Sequence, residues 1–331
     1  MLNTYGKLGL WKKNTYICDI NRFIQGLIKV HKISVVLGSY NRLSFLKLTI
    51  ASIRNQKNSP YSEIIVVDGG STDGTLEWLL EQKDIITVVQ HNRGEWLGKQ
   101  LLRRSWGYFM NLAFKCASSK YVCMISDDTV LHPYALAEGY KQFEALLADG
   151  NKVGALAFYW RESFEEEMYR VGIPAGHLMY VNHGLFLNGA LRDINYIEEN
   201  EFKFYCADID LSLKLWAKGY SVIAAENAYV EHYPHATLAV KKGNSSIAQN
   251  DFVEIIKKWQ QLYPRLNNRS LGGMHKKFYD DPYATIAVYN PMHQSILKNN
   301  KRYFLNKKIN GYWNNLWGSA KFWYRKLRFG L

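Results

Sequence analysis

Residues 63–75 read Glu-Ile-Ile-Val-Val-Asp-Gly-Gly-Ser-Thr-Asp-Gly-Thr. The run through Val67 is apolar without alternation, the pattern of a strand buried on both faces. Asp68 to Gly74 are turn-forming residues, and residues 75–81 have helical spacing. Glycines turn the chain there, and Ser71, Thr72 or Asp73 can cap the helix. A strand running through a polar turn into a helix is half of a β-α-β unit. The fold therefore depends on whether that unit repeats.

It does. Upstream, residues 33–37 form a short apolar strand and 43–54 a helix. Downstream, strands are expected at 85–89, 121–125 and 153–158, with a helix at 106–116 between them. A further helix at 209–218 leads to a strand at 221–225. Strands alternating with helices imply an α/β fold, a mostly parallel sheet with helices on both faces. Residues 31–240 read as that domain. Residues 1–30 read as an extension in which Phe23, Ile24, Leu27 and Ile28 form a short helical face. The charged stretch 161–167 reads as a surface excursion, and 241–331 as a helical, basic and aromatic tail.

The composition, 47% hydrophobic and 15% aromatic, excludes a disordered chain. The net charge of +13 is concentrated at the end: from Lys298 onward there are nine Lys and Arg and no Asp or Glu. A basic balance admits nucleic acid, anionic membrane or phosphorylated substrates, so placement decides among them. Cys18, Cys116, Cys123 and Cys206 form no CxxC pair or zinc spacing, which reads as reduced thiols in a cytosolic protein. No apolar run reaches the roughly 18–20 residues of a spanning helix.

Ligands of open α/β sheets bind beyond the carboxyl ends of the strands. Three polar segments meet there: Gly38-Ser39-Tyr40-Asn41-Arg42, Asp68 to Gly74, and Ser126-Asp127-Asp128. The spacing around Gly69, Gly70 and Gly74 is not that of a dinucleotide GxGxxG, and no P-loop occurs. Asp127 and Asp128 read either as a turn and helix cap or as ligands of a hard divalent cation. One or two carboxylates at a strand end suit an ion held mainly by a diphosphate. Asp208 and Asp210 lie in the first turn of the 209–218 helix, where the dipole favours carboxylates. Asp208 is the sharper candidate for a general base, and Asp210 reads as structural. His232 and His235 follow the next strand, and either could add a nitrogen ligand.

These pieces, in this order over about residues 32–237, resemble family 2 glycosyltransferases of the GT-A fold. In pattern they come nearest to bacterial-type cell-surface polysaccharide and rhamnosyl transferases. The segment ISVVLGSYNRLSFLKLTIASIRNQ resembles the family's opening strand, nucleotide loop and helix, and EIIVVDGGSTDGT its second strand and turn. MISDDTVLHPYAL resembles its DxD metal segment, YCADIDLSLKLWAKGY the segment with its base, and AYVEHYPH its late metal-binding histidine.

The resemblance implies an inverting, metal-dependent transferase using Mn2+ or Mg2+. Its donor would be a nucleotide-diphosphate sugar, a UDP- or dTDP-sugar first, and its acceptor a glycan or lipid-linked hydroxyl. Gly38, Ser39, Tyr40, Asn41, Arg42, Asp68, Gly70, Arg104 and Asp127 would bind the donor, with Tyr40 on the base. Asp128 and His232 would hold the metal, and Asp208 would take the acceptor proton. Two positions depart from the family pattern: Gly69 stands where many relatives carry a second acid, and Ala207 where an acid usually precedes the base.

A sugar nucleotidyltransferase would want a Gly-rich loop with Arg and Lys after the first strand, and GSYNRLSF is not one. A non-catalytic nucleotide-sugar-binding relative is the other alternative. In the tail, Trp313, Leu316, Trp317, Ala320, Tyr324 and Leu327 share a helical face flanked by Lys321, Arg325 and Arg328. That face suits an anionic membrane surface or packing on the protein's own core, and no nucleic-acid module is present. The expected location is cytoplasmic, with the tail peripheral at the cytoplasmic face of a membrane.

Overall fold

The computed structural model describes residues 32–162, 166, 168–233, 238–266 and 272–276. Extension 1–30, His235 and the aromatic tail helix lie outside the described residues.

Thirteen strands and seven helices follow one another among the described residues. In order they are β1 (Ile33–Ser39), α1 (Leu43–Arg54), β2 (Tyr61–Asp68), α2 (Thr75–Glu81), β3 (Ile85–Val89), and the small hairpin β4 (Glu95–Trp96) and β5 (Lys99–Gln100). Next come α3 (Trp106–Cys116), β6 (Tyr121–Met124), β7 (Thr129–Leu131), α4 (Ala135–Ala148), β8 (Val153–Glu162), β9 (Tyr169–Ala175), β10 (Leu178–Tyr180) and β11 (Gly184–Leu187). The series closes with α5 (Asn188–Asp193), α6 (Ala207–Ala217), β12 (Ser221–His232), α7 (Leu238–Trp259) and β13 (Gly272–Lys276).

The main sheet runs β10-β9-β8-β11-β6-β1-β2-β3. Its β6-β1-β2-β3 half is parallel, as the β-α-β reading requires. Beyond β6 the sheet is mixed: β11 is antiparallel to both β6 and β8, while β12 runs parallel to β8 and antiparallel to β7. Apolar side chains on the two faces of the strands form two separate cores. Val36 and Val122 face one, Val35 and Cys123 the other, so each strand is buried on both sides. The fold class expected from the sequence is the one found, a mixed α/β sheet flanked by helices.

This topology decides where polar residues collect. The parallel register sets Ser39 beside Asp68 at the carboxyl ends of β1 and β2. The chain leaves β6 at Met124 next door, so residues 125–128 emerge at the same edge. β12 pairs His232 with Thr129, which returns its end to the Asp127–Asp128 turn. That strand is longer than the expected 221–225, and its second half carries Glu231 and His232.

The charged stretch at 161 behaves differently from its sequence reading. Arg161 pairs in register with Glu231 and holds it through Nε, at 3.1 Å from each carboxylate oxygen. Only 3% of Glu231 is exposed, and the Tyr169 hydroxyl also donates to it. What looked like a surface excursion begins as a buried ion pair under the site. The described residues past 240 join the same body: Ile255, Trp259 and Leu266 are buried in the first core, and β13 adds to the sheet against β9.

Candidate active site

The first two loops are stitched to each other. Asn41, at φ +52, donates its N–H to Ser71 Oγ at 2.9 Å and accepts from Thr72 N at 2.8 Å. Leu43 N donates to Asp73 at 3.1 Å, so the start of α1 is capped from the neighbouring loop. Asp68 is fully buried and its carboxylate organises the turn. It accepts from Gly70 N at 2.8 Å, Ser71 N at 2.7 Å and Ser71 Oγ at 2.6 Å.

Gly70 sits at φ +84, and a Cβ there would lie 2.4 Å from His91 Nδ1, so this corner needs glycine on both counts. Gly69 has a different reason. Its Cβ would come 3.0 Å from the Tyr40 ring, so the acid of many relatives would press on Tyr40. The Arg93 guanidinium covers that ring at 4.4 Å. Gly38 lies within β1 opposite Val67 and forms part of the strand rather than the turn.

The two adjacent carboxylates are almost fully buried, Asp127 at 3% and Asp128 at 6% exposure. A single cation meets both: Arg42 Nη1 stands 2.8 Å from Asp127 Oδ1 and 3.3 Å from Asp128 Oδ2. Burial raises the Asp127 pKa above the usual carboxylate value, with Arg42 opposing and Asp128 adding to the rise. Burial would lower the Arg42 pKa, but the two carboxylates more than offset it. Arg104, the other basic candidate, is exposed with its guanidinium over the Tyr108 ring at 4.9 Å. Of these two arginines, Arg42 is the one that reaches the carboxylates.

On the other side of Asp128 stands His232, its Nε2 3.5 Å from Asp128 Oδ1. Burial disfavours its charged form, yet the Asp128 carboxylate outweighs burial and its pKa rises. Among the described residues no three His, Cys, Asp or Glu side chains converge closely enough to cage an ion. An oxygen and a nitrogen donor facing each other nonetheless fit a hard or borderline ion that completes its shell with substrate oxygens and water.

Asp208 opens α6 after Cys206, which takes the left-handed conformation at φ +63. It is half-buried; Oδ1 accepts from Ile209 N at 2.9 Å and Oδ2 from Asn182 Nδ2 at 3.0 Å. Burial raises its pKa, and these two donors restrain the rise. Asp210 is fully buried and turns the other way, accepting from Trp259 Nε1 at 2.7 Å and Lys258 at 3.0 Å. Asp251, also on α7, accepts from the N–H groups of Lys203, Phe204 and Tyr205 at 2.8–3.1 Å. The loop before Asp208 and the helix that carries it are thus both tied to α7.

Sequence reasoning missed the dipeptide that joins the two halves of the site. Asn182 holds Asp208, and His183 lies 5.9 Å, ring to ring, from His232. Gly184 makes this approach feasible, since a Cβ there would meet Leu156 O at 2.0 Å and keep β11 from closing on β8. Burial pushes the His183 pKa down to about 3, His232 adding to the fall, so the imidazole stays neutral. A polar pair ahead of a strand-forming apolar run was the one sequence signal.

The family model for glycosyl transferase family 2 matches residues 34–206, more than half of the chain. The chain belongs to glycosyl transferase family 2. Among curated relatives, the chondroitin synthase of Escherichia coli is 28% identical over 105 residues, 30% of this chain and 14% of that protein. An uncharacterized glycosyltransferase of Nostoc sp. is 30% identical over 115 residues, 34% of this chain and 33% of that one. The aligned part therefore spans a third or less of either relative.

Among solved structures, Staphylococcus aureus TarS 1–349 is 18% identical with a TM-score of 0.47, covering 68% of this chain and 65% of that one. The mannosyltransferase PcManGT from Pyrobaculum calidifontis, solved with GDP-Man and Mn2+, is 17% identical with a TM-score of 0.49, covering 73% and 71%. The family 2 domain here contains no helix, among the described residues, long and apolar enough to cross a membrane.

Proposed function

We propose that this family 2 protein transfers a sugar, with inversion, from a nucleotide-diphosphate donor to a hydroxyl of a glycan or lipid-linked acceptor. The observation that carries the reading is the continuity of the two site halves through Asn182-His183. A carboxylate oriented by Asn182 stands on one side, and the Asp128–His232 pair on the other.

Asp208 is the group assigned to the acceptor proton. Burial raises its pKa, which strengthens it as a base, while the Asn182 and Ile209 donors oppose that rise and orient the carboxylate. One base on the face opposite the leaving group supports direct displacement and inversion. Asp128 and His232 would hold Mn2+ or Mg2+, which when bound supplies charge neutralisation to the departing diphosphate. Arg42 adds a fixed positive charge beside it. Tyr40 and the Asp68 turn form the floor for the nucleotide, a UDP- or dTDP-sugar being the first donor to try. The alternatives, a non-catalytic sugar-binding relative and a nucleotidyltransferase, predict binding without transfer and release of pyrophosphate, respectively. Location at a membrane face rests on the tail and is tested by vesicle sedimentation of the chain with and without residues 297–331.

The test is a thermal-shift panel of nucleotides and nucleotide sugars, with and without Mn2+, on wild type and Asp128→Ala. Metal-dependent stabilisation by one nucleotide class, lost in the variant, is expected. Stabilisation that survives Asp128→Ala would remove Asp128 from the metal site.

A further inference from the structure

Around His183 the structure leaves hydrogen-bonding groups unspent. The side chain is 2% exposed, and neither ring nitrogen finds a partner among the described residues. The same holds for two buried nitrogens on the rings beside it, Trp160 Nε1 and His232 Nδ1. The rings of Trp160, His183 and His232 lie 5.9–6.2 Å apart, centre to centre, so these are not scattered defects but one cluster. Arg170 covers the Trp160 ring at 4.3 Å, which restricts how that indole can turn. Buried polar groups without partners cost stability, and a native chain keeps several together only for a reason.

The chemistry of the four nitrogens narrows what they await. An indole N–H only donates, whereas a neutral imidazole offers one donor and one acceptor. Phosphate oxygens only accept, so they would leave the one imidazole acceptor, on His183, unmet. A metal ion would find only the one lone pair on His183 among these nitrogens, and no three His, Cys, Asp or Glu side chains converge to hold it among the described residues. A hydroxyl both donates and accepts, and a sugar presents several at neighbouring carbons.

We propose that Trp160, His183 and His232 form a subsite for hydroxyl groups of the sugar being transferred, with His183 as its specificity-determining residue. The position agrees with the chemistry. His232 faces Asp128 on one side, and Asn182, the chain neighbour of His183, donates to Asp208 on the other. A group between the diphosphate side and the base is the reacting sugar itself. This inference rests on the donor reading above.

The experiment uses the full chain and two ring-conserving variants, His183→Phe and Trp160→Phe, which remove nitrogens while filling the space. Calorimetry with Mn2+ and no acceptor compares UDP-glucose, UDP-N-acetylglucosamine, GDP-mannose and dTDP-rhamnose with free UDP, GDP and dTDP. Expected is a loss of roughly tenfold in affinity for the nucleotide sugar that wild type prefers, as for a sugar hydroxyl deprived of its partner. Affinity for the matching free diphosphate should stay within about twofold of wild type, and the melting temperature of the unliganded protein should hold or rise.

Equal weakening of both ligands would overturn the proposal, since it would assign the cluster to the diphosphate or to the fold. Unchanged donor affinity with a raised KM for the acceptor would overturn it too, by moving the hydroxyls to the acceptor. A wild type that binds neither form overturns the donor reading itself. Tight wild-type binding that the variants fail to discriminate overturns the subsite alone.

Discussion

Replacing Arg42 by Met tests what holds two neighbouring carboxylates inside the protein. Asp127 and Asp128 are at least nine-tenths buried and share one guanidinium, at 2.8 and 3.3 Å. Removing one partner of a buried pair costs about 3–5 kcal/mol, because the remaining charge stays desolvated. The Arg42 side chain is 32% exposed, so water shares its work and the lower end, about 3 kcal/mol, applies.

For a domain of this size that is a fall in Tm of about 6–12 °C. The pH dependence carries a sign. A carboxylate whose folded pKa lies above its unfolded value of 3.8 costs stability at neutral pH, and the cost fades as pH falls through the folded value. Loss of Arg42 raises the Asp127 pKa further, so the variant's deficit should be largest near pH 8 and shrink toward pH 5. Thermal and urea melts of both proteins at the two pH values measure this. A variant that melts with wild type at pH 8, or whose deficit ignores pH, would refute the role given to Arg42.

Three other outcomes follow from particular contacts. Glu231 is held to a pKa of about 2 against its ordinary 4.5, burial being outweighed by His132 and Arg161. Its contribution of about 3 kcal/mol is present above pH 4.5 and lost toward pH 2; Glu231→Gln should lack that acid-limb loss in urea melts while being less stable at pH 7. Gly70→Ala places a Cβ at φ +84 against His91, and should lower stability by about 1–2 kcal/mol for the backbone alone. Adding His91→Ala should recover the steric part only, which chemical denaturation of the double variant measures. Asp251→Ala leaves three N–H groups before Asp208 without their acceptor. About 1–3 kcal/mol should be lost, with faster amide exchange at Lys203, Phe204 and Tyr205 by mass spectrometry.

The first half of the fold was written locally. α1, α2, α3 and β3 have the bounds their apolar spacing implied, because each buries a face whose period is visible in one stretch. The second half was not, and the reason is pairing. β12 continues to His232 because it finds β7 and β8, strands distant in sequence, so its length could not be read from residues 221–225. Arg161 looked like surface because its partner, Glu231, lies 70 positions away. Asp127, Asp128 and Asp208 were legible because acids ending an apolar run or opening a helix are conspicuous. Asn182 and His183 were not, since their meaning comes from a sheet neighbour and a helix that only the tertiary fold supplies. Gly69 departs from the family pattern in the sequence, but its explanation, the Tyr40 ring against it, is visible only in three dimensions.

The most direct test of the account is transfer by Asp208→Asn, measured with the nucleotide sugar that stabilises wild type. The account predicts that the variant binds donor and Mn2+ as wild type does, keeps its fold through the Asn182 contact, and loses transfer by at least about a hundredfold. Near-full transfer with intact donor binding would contradict it and take the base role from Asp208.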